Sequence, residues 1–286
     1  MPKDNLFSIT SIDGRYSSKT EPLINYFSEF ALIKTRLEVE IKWLLVLAKT
    51  KSLKFIPEIS TAKERAILKI LEDFSLADAK KIKKIETRTN HDVKAVEIFI
   101  VEELNRLNLK KLCEFVHFSC TSEDINNLAH SLMMQRFIDK EFLPRLNTLQ
   151  KLLNSLAKKW SKISMLAFTH GQPASPTTLG KEFSNFTSRL KFNKEMISSI
   201  KQQGKFNGAS GNYNAHVIAQ KNFNWENLSR KFVSSLGLNF SSHSTQIELK
   251  DATASQLGNI HNLNNVLIDF SQDIWLLISK NYLKQN

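Results

Sequence analysis

The chain has 286 residues, of which 42% are hydrophobic, and its formal net charge is +12. This hydrophobic share excludes a disordered chain, because it is enough to bury the core of one large or two modest domains. No run of about 18 apolar residues is present, and the start of the chain lacks the apolar core of a signal peptide. We therefore expect no membrane insertion and a cytoplasmic protein.

The positive charge has three possible explanations. It fits a surface for nucleic acid, a site for an anionic small molecule, or basic residues that a partner or a further segment offsets. The densest run of lysines, at 80–84, lies in a helical pattern without interleaved aromatic residues. A solvated helix face explains that run better than a nucleic-acid patch.

Long helices are predicted for most of the chain, because glycine and proline number only 8 and 6. Apolar residues recur at helical spacing over 27–50, and Pro57 interrupts the pattern. Shorter helical patterns follow at 61–73, 76–86 and 92–106. A polar break at 87–90 separates the last two. Together these segments predict a small helical amino-terminal domain over residues 1–121.

Residues 122–286 predict a second domain, made of long helices. One helix is expected over 123–159 with a bend at Pro144, and another over 176–203. A loop is expected between them at 164–175. The remaining elements are expected to be a glycine-containing loop and a short helix, at 206–214 and 225–236.

The carboxyl-terminal segment shows the clearest helical pattern. Its apolar residues recur at spacings of three and four: Leu257, Ile260, Leu263, Leu267, Phe270, Ile274 and Leu277. A helix over 251–282 would be about 50 Å long at 1.5 Å per residue, which suits a bundle shared among subunits. The predicted fold class is mainly α, with a central oligomeric helical bundle.

Four polar clusters fall in breaks between the apolar segments, where functional groups often lie. In the first, Arg15 offers a planar fork for a carboxylate or phosphate, although an arginine after glycine is commonly part of a capped turn. In the second, Asn90, His91 and Asp92 precede a helix whose amino terminus favours anions. Simple capping of that helix is the alternative.

The other two clusters also carry groups suited to ligands or proton transfer. Thr121 and Ser122 bring hydroxyl groups to the start of a long helix, and capping explains one of them but not readily both. His170 stands in a short loop, where an imidazole suits a general acid or base, although a lone loop histidine is more often incidental. No metal-ligand spacing, glycine-rich phosphate loop or nucleophile elbow is present, which disfavours a metal or nucleoside-triphosphate mechanism.

Taken together, the clusters resemble those of the bacterial-type adenylosuccinate lyase family, in the fumarase/aspartase superfamily. The resemblance runs from about residue 8 to the end of the chain. Five segments carry it, namely SIDGRY at 11–16, TNHDVKAVE at 89–97, CTSEDINN at 120–127, THGQPA at 169–174 and GNYNAH at 211–216.

This resemblance implies a β-elimination that releases fumarate from adenylosuccinate to leave AMP. It implies the same reaction on succinylaminoimidazole carboxamide ribotide, earlier in purine biosynthesis. A general acid protonates the departing nitrogen while a base removes a proton from the adjacent carbon, and His170 matches the acid. The resemblance implies no cofactor and no metal, and a homotetramer whose composite active sites each draw on three subunits.

The resemblance also assigns further site residues by position. His91 and His117 match active-site histidines of the family. Its substrate-binding positions are matched by Arg15, Tyr16, Asn90, His91, Asp92, Thr121, Ser122 and Gln246. A positively charged site of this kind accounts for part of the net charge, because it steers an anionic substrate.

Two departures from the family pattern stand out. The family continues past the last long helix into a flexible loop resembling Gly-Ser-Ser-Xaa-Met-Pro-His-Lys-Xaa-Asn-Pro, which these 286 residues do not include. We therefore expect this chain to lack the catalytic base, the loop lysine, the phosphate-binding arginines and the carboxyl-terminal helical domain. The family also has Pro and His where this chain has Leu249 and Lys250, which affects only the local geometry near Gln246.

Three interpretations remain open from the sequence. The chain is a truncated form of an active lyase, or a non-catalytic relative that binds ligand or partner subunits. The third, a basic helical protein that binds nucleic acid, explains the charge but leaves the polar clusters unexplained. Argininosuccinate lyase is a weaker alternative within the superfamily, because the sequence NHDVK at residues 90–94 resembles that of the purine enzyme.

Overall fold

The computed structural model describes residues 7–285, and most of them are helical. The helices are α1 Ser17–Thr20, α2 Ile24–Phe27, α3 Glu29–Lys49, α4 Thr61–Glu72, α5 Leu76–Thr89, α6 Asp92–Arg106, α7 Ser122–Phe137, α8 Leu143–Lys159, α9 Leu179–Ser199, α10 Asn214–Ala219, α11 Trp225–Ser235 and α12 Asp251–Ser279. Short strands are β1 Ser164–Thr169, β2 Gln172–Thr178, β3 Gln203–Gly204 and β4 Asn239–Phe240. The prediction of a mainly α fold is confirmed.

The chain divides into two compact units. Unit 1 comprises Met1–Phe137 and Gln202–Lys250, and unit 2 comprises Ile138–Lys201 and Asp251–Asn286. This partition differs from the predicted domain boundary after residue 121, because α7 and the 202–250 segment pack with the amino-terminal helices. No helix among residues 7–285 is long and apolar enough to cross a membrane.

Helix α3 forms the centre of the core of unit 1, where it packs against α4, α5, α6 and α7. The helix begins after Ser28, whose hydroxyl accepts the N–H of Ala31 at 3.1 Å. Its fully buried apolar side chains include Leu37, Ile41, Trp43, Leu44 and Leu47. Three charged residues of α3 are buried as well: Arg36, Glu38 and Glu40. Each needs a partner, because a buried unpaired charge is strongly destabilising.

The junction between α5 and α6 differs from its prediction in one respect. The predicted break at 87–90 is wrong, since α5 continues to Thr89 and stops only at Asn90. Asn90 adopts the left-handed conformation, with φ of 49°, which ends a helix. His91 is then the N-cap of α6, so only Asn90 and His91 separate α5 from α6.

A change of helix type occurs just before Pro144, where a bend was predicted. Regular α7 gives way to a π-helical turn at Ile138–Phe142, and α8 then begins at Leu143. Pro144 lacks the N–H that would bond back to a carbonyl of the preceding turn, and the π-helical turn lies directly before it. The long predicted helix is therefore two helices joined by a π-helical turn.

Unit 2 is built on contacts of α9 with α8 and α12. A Cβ added to Gly180 would come within 2.3 Å of the carbonyl oxygen of Ala157, so glycine permits the close approach of α9 to the end of α8. On the other side, Phe270 packs edge-on against Phe183 and Phe186. The apolar pattern predicted for the carboxyl-terminal segment therefore faces α9 in part.

The predicted loop at 164–175 is wrong, because β1 and β2 form an antiparallel hairpin there. Thr169 pairs with Gln172 across a two-residue turn made of His170 and Gly171. Both turn residues have positive φ, 53° and 75°, as a type I′ turn requires. The hairpin therefore places His170 at its tip.

Candidate active site

The second and third polar clusters meet in unit 1 through His91 and Ser122. The Nδ1 atom of His91 accepts the N–H of Lys94 at 3.1 Å, as the N-cap of α6. A neutral imidazole in this geometry carries its proton on Nε2, which lies 3.3 Å from the hydroxyl oxygen of Ser122. Two segments predicted to bind substrate are thus in direct contact.

Asp92 is held in the same region by a buried arginine. Arg36 of α3 donates from Nη2 to the Asp92 carboxylate at 2.5 Å and from Nε to the Asn126 side-chain oxygen at 2.8 Å. Burial alone would raise the pKa of Asp92, but the charge of Arg36 and the N–H of Val93 outweigh it and lower the pKa below its usual value. Arg36 thereby ties the start of α6 to α7.

Asp124 organises the start of α7 from inside the core. Its carboxylate accepts the N–H groups of Thr121, Asn207 and Gly208 at 2.9, 3.1 and 3.1 Å. It also forms an ion pair with Lys205 at 2.8 Å, and both side chains are 0% exposed. The backbone that presents Thr121 and Ser122 is therefore fixed by a fully buried pair of charges.

His117 lies between two carboxylates. Its Nδ1 is 2.6 Å from an oxygen of Glu40 in α3, and its Nε2 is 3.7 Å from an oxygen of Glu97 in α6. Burial lowers the pKa of His117, but the hydrogen bond and charge of Glu40, with the charges of Glu97 and Asp124, raise it above the usual value. Glu40 is itself fully buried, and burial raises its pKa against the hydrogen bond from His117.

A second buried histidine in unit 1 has an apolar setting. His216 is 0% exposed and packs edge-on against the rings of Tyr213 and Trp225. Neither ring nitrogen has a hydrogen-bond partner among residues 7–285. Burial lowers the pKa of His216 to about 4, so the side chain is neutral at physiological pH.

Four of the predicted substrate-binding residues lie on the surface of unit 1. Arg15, Tyr16, Asn90 and Gln246 are all exposed. The Arg15 guanidinium lies 5.5 Å from the ring centre of Tyr16. Within residues 7–285, no hydrogen bond or ion pair joins Arg15, Tyr16 or Gln246 to the cluster of His91, Asp92 and Ser122. The structure thus brings together only part of the predicted set.

His170, the predicted acid, belongs to unit 2. It is exposed at the tip of the hairpin, next to Gly171. Its imidazole is open to solvent, which an acid that meets a substrate requires. Its position is set by the backbone pairing of β1 with β2.

Four residues that support the site were not found from the sequence. Arg36, Glu40 and Glu97 lie in helices whose buried faces are otherwise largely apolar, which was the available signal, because a charged residue on a buried helix face must have a partner. Lys205 lies in a largely polar segment at 202–208, which gives no such signal. The identity of each partner depends on the tertiary fold.

Comparison with known proteins shows the family to which the chain belongs. Residues 14–285 match the model of a protein family described as lyase. The chain is 43% identical to an adenylosuccinate lyase of Haemophilus influenzae, over all of this chain and 63% of the relative. It is 41% identical to an adenylosuccinate lyase of Escherichia coli, with the same coverage. The chain thus spans less than two thirds of the length of these curated relatives.

Solved structures with the same fold include more distant proteins. A fumarate lyase from Mesorhizobium sp. BNC1 superimposes with a TM-score of 0.73 and 17% identity, over 90% of this chain and 57% of the other. A beta-carboxy-cis,cis-muconate cycloisomerase from Acinetobacter calcoaceticus superimposes with a TM-score of 0.71 and 17% identity, over 92% of this chain and 59% of the other. These likenesses confirm the expected fumarase/aspartase-like fold. Because the family model covers nearly the whole sequence, this chain belongs to the lyase family.

Proposed function

We propose that this chain carries the substrate-binding and acid-bearing part of an adenylosuccinate lyase. The reaction is the β-elimination of fumarate from adenylosuccinate, leaving AMP, with the related succinylated carboxamide ribotide as a second substrate. The observation that carries the proposal is the contact of His91 with Ser122. It joins two segments that match the family, in a chain whose relatives above 40% identity are adenylosuccinate lyases.

The chemistry of the substrate fits the groups in unit 1. Adenylosuccinate bears two carboxylates and a phosphate, so its recognition needs several donors held in fixed positions. The hydroxyls of Thr121 and Ser122 and the imidazole of His91 supply such donors. Arg36 holds Asp92 beside them through the 2.5 Å contact, which keeps the donors in place before the ligand arrives. The exposed Arg15, Tyr16, Asn90 and Gln246 extend the proposed binding surface.

His170 is the proposed general acid. An exposed imidazole at a hairpin tip can approach a bound substrate and protonate the nitrogen that leaves as fumarate forms. The serine loop that carries the base in the family is not among these 286 residues. Binding is therefore the first property to measure for this chain, and turnover the second.

An association of subunits is also proposed. Helix α12 has 29 residues, which corresponds to about 44 Å at 1.5 Å per residue. It exposes large apolar side chains away from its buried stripe, namely Leu257, Ile268, Trp275 and Leu276. An exposed apolar face of this length supports association of subunits through a helical bundle. The number of four subunits and a cytoplasmic location are proposed from the resemblance to the family. Sedimentation of the 286-residue chain tests the oligomeric state.

Calorimetric titration of the 286-residue chain with adenylosuccinate tests the proposed function. Binding is expected, and Ser122→Ala should weaken it by about 10-fold or more, as loss of a hydrogen bond to a charged group does. Ser155→Ala in α8 is the matched control and should bind like the unsubstituted chain. Argininosuccinate serves as the competing ligand and should bind more weakly.

Turnover is followed by the loss of adenylosuccinate absorbance and by direct assay of fumarate. We expect at most slow release from this chain, because removal of a catalytic base commonly lowers rates by about 10² to 10⁴. Any release should disappear in His170→Ala and persist in His261→Ala, an exposed histidine of α12. Absence of binding to the unsubstituted chain, or tighter binding of argininosuccinate, would contradict the proposal.

A further inference from the structure

The setting of His117 suggests a role other than proton transfer to a ligand. Both ring nitrogens face carboxylates, at 2.6 Å for Glu40 and 3.7 Å for Glu97. The side chain of His117 is only 15% exposed, and that of Glu40 is not exposed at all. The Nδ1 nitrogen is thus occupied by a short hydrogen bond with Glu40, while Nε2 makes a longer ionic contact with Glu97 that is not a hydrogen bond.

The charges around His117 favour its protonated form. Glu40 of α3 and Glu97 of α6 lie within ion-pair distance of the ring, and the charge of Asp124 in α7 also raises the pKa of His117. Lys94 neutralises Glu97 at 2.7 Å, and Lys205 neutralises Asp124 at 2.8 Å. Among residues 7–285, Glu40 then has His117 as its one ionic partner. Protonation of His117 therefore balances a carboxylate that would otherwise be buried and unpaired.

The backbone at His117 is strained and needs such a partner. His117 and Ser119 both adopt left-handed φ, at 59° and 58°, although neither is glycine. Residues in this region persist only where their surroundings hold them there, and they cluster at functional sites. Trp43 of α3 also holds the turn, since its indole N–H donates to the carbonyl of Phe118 at 3.1 Å.

The strained turn leads directly into the proposed binding residues. The N–H of Cys120 donates to the carbonyl of His117 at 3.2 Å, and Thr121 follows at the start of α7. A shift of the His117 backbone would therefore move the hydroxyls of Thr121 and Ser122. The position of these hydroxyls therefore depends on the contacts that α3 and α6 make with His117.

We propose that His117 is a positioning residue, clamped as an imidazolium between Glu40 and Glu97, and that it fixes the turn presenting Thr121 and Ser122 to an anionic ligand. The proposal rests on the proposed function for the identity of the ligand. It assigns no proton transfer to His117. It makes Glu40 and Glu97 supporting residues of the site.

The first test is an NMR titration of the His117 ring in the 286-residue chain without ligand. We expect a pKa above that of a free imidazole, and a fall of about one unit or more in Glu40→Gln, since an opposite charge at this distance shifts a pKa by that amount. Glu38→Gln is the matched control. Glu38 lies on the same helix but pairs with Arg136 and Lys42, so its removal should leave the titration of His117 unchanged.

The second test is the pH dependence of adenylosuccinate affinity. Affinity should fall as the pH rises through the pKa of His117, and the fall should begin at lower pH in Glu40→Gln than in Glu38→Gln. A ring that titrates at or below the free value overturns the clamp, whether or not ligand binds. Affinity that is indifferent to the protonation of His117 and to Glu40→Gln overturns the positioning role.

A third measurement separates this inference from the proposed function. Exchange of the Cys120 and Thr121 amide hydrogens should accelerate in Glu40→Gln relative to Glu38→Gln, with no ligand present. If adenylosuccinate binds no variant but the exchange responds, the proposed function fails and the clamp stands. Unchanged exchange contradicts the clamp. Should Glu40→Gln not fold, Glu97→Gln takes its place in all three measurements.

Discussion

The two segments that carry the predicted site residues are held in opposite ways. In unit 1, the start of α7 is fixed by the Asp124 and Lys205 pair, which is 0% exposed. In unit 2, His170 stands exposed at the tip of a hairpin held by backbone pairing. Buried charges resist displacement because any shift leaves them unpaired, whereas an exposed turn leaves its side chain accessible. Under the proposed function, the residues proposed to position the ligand and the residue proposed to donate a proton are supported by different kinds of structure.

The largest expected effect comes from breaking the buried pair. Lys205→Met removes the ammonium and leaves the Asp124 carboxylate buried, which should lower the free energy of unfolding by about 3 to 5 kcal/mol. Urea denaturation of the purified chain measures it. Lys69→Met is the control, because Lys69 is 70% exposed and 3.9 Å from Asp73, and should change stability by less than about 1 kcal/mol. Equal effects of the two substitutions would show that the buried pair does not hold unit 1.

The next effect concerns His216, which has the opposite setting to His117. Its folded-state pKa of about 4 lies below the unfolded value, so unfolding takes up a proton as the pH falls below about 6.5. The contribution of neutral His216 to the free energy of unfolding is therefore fully present above about pH 6.5. It decreases by about 2 to 3 kcal/mol as the pH falls to 4. Urea denaturation at pH 7 and pH 4 measures the decline.

His216→Phe is the control for this titration. Phenylalanine fills the place between the rings of Tyr213 and Trp225 without a group that titrates. Acid titration of carboxylates elsewhere acts on both proteins, so the difference between their declines isolates His216. Identical declines would mean that the imidazole does not remain neutral in the folded chain.

The same contrast explains how much of the fold was predictable. The helices over 61–73, 92–106 and 225–236 were predicted to within one or two residues, because their apolar periodicity and capping are local properties. The hairpin at 164–178 was not. Residues 164–175 were predicted as a loop and Pro176 as the start of the next helix, although the pair of turn residues His170 and Gly171 suits a type I′ turn.

The candidate site was predictable as a set of residues but not as a network. Polar runs before helices indicated His91, Ser122 and the residues beside them, since ligand groups favour such positions. Arg36 lies 56 residues from its partner Asp92, and Glu40 lies 77 residues from its partner His117. No local pattern indicates a pairing across such distances, because only tertiary packing brings α3 to the other two segments.

A smaller effect tests the hairpin turn directly. Gly171→Ala should destabilise the chain by about 1 kcal/mol, because alanine disfavours the φ of 75° found there. Gly258→Ala, within α12, should stabilise it by about 0.5 to 1 kcal/mol, because alanine favours the helix. A Cβ at either position meets no atom within 4 Å, so the two substitutions differ only in backbone conformation. Thermal unfolding compares them, and shifts of the same sign would contradict the turn.

The smallest effect on stability is expected at His170 itself. His170→Ala removes an exposed side chain at the hairpin tip, so the free energy of unfolding should change by no more than about 0.5 kcal/mol. His117→Ala should be markedly more destabilising, since it leaves the fully buried Glu40 without its partner. Urea denaturation of both variants at pH 7 makes the comparison. A large loss at His170 would mean that the histidine holds the hairpin as well as facing solvent, and its proposed role as an acid could then no longer be separated from a structural one by substitution alone.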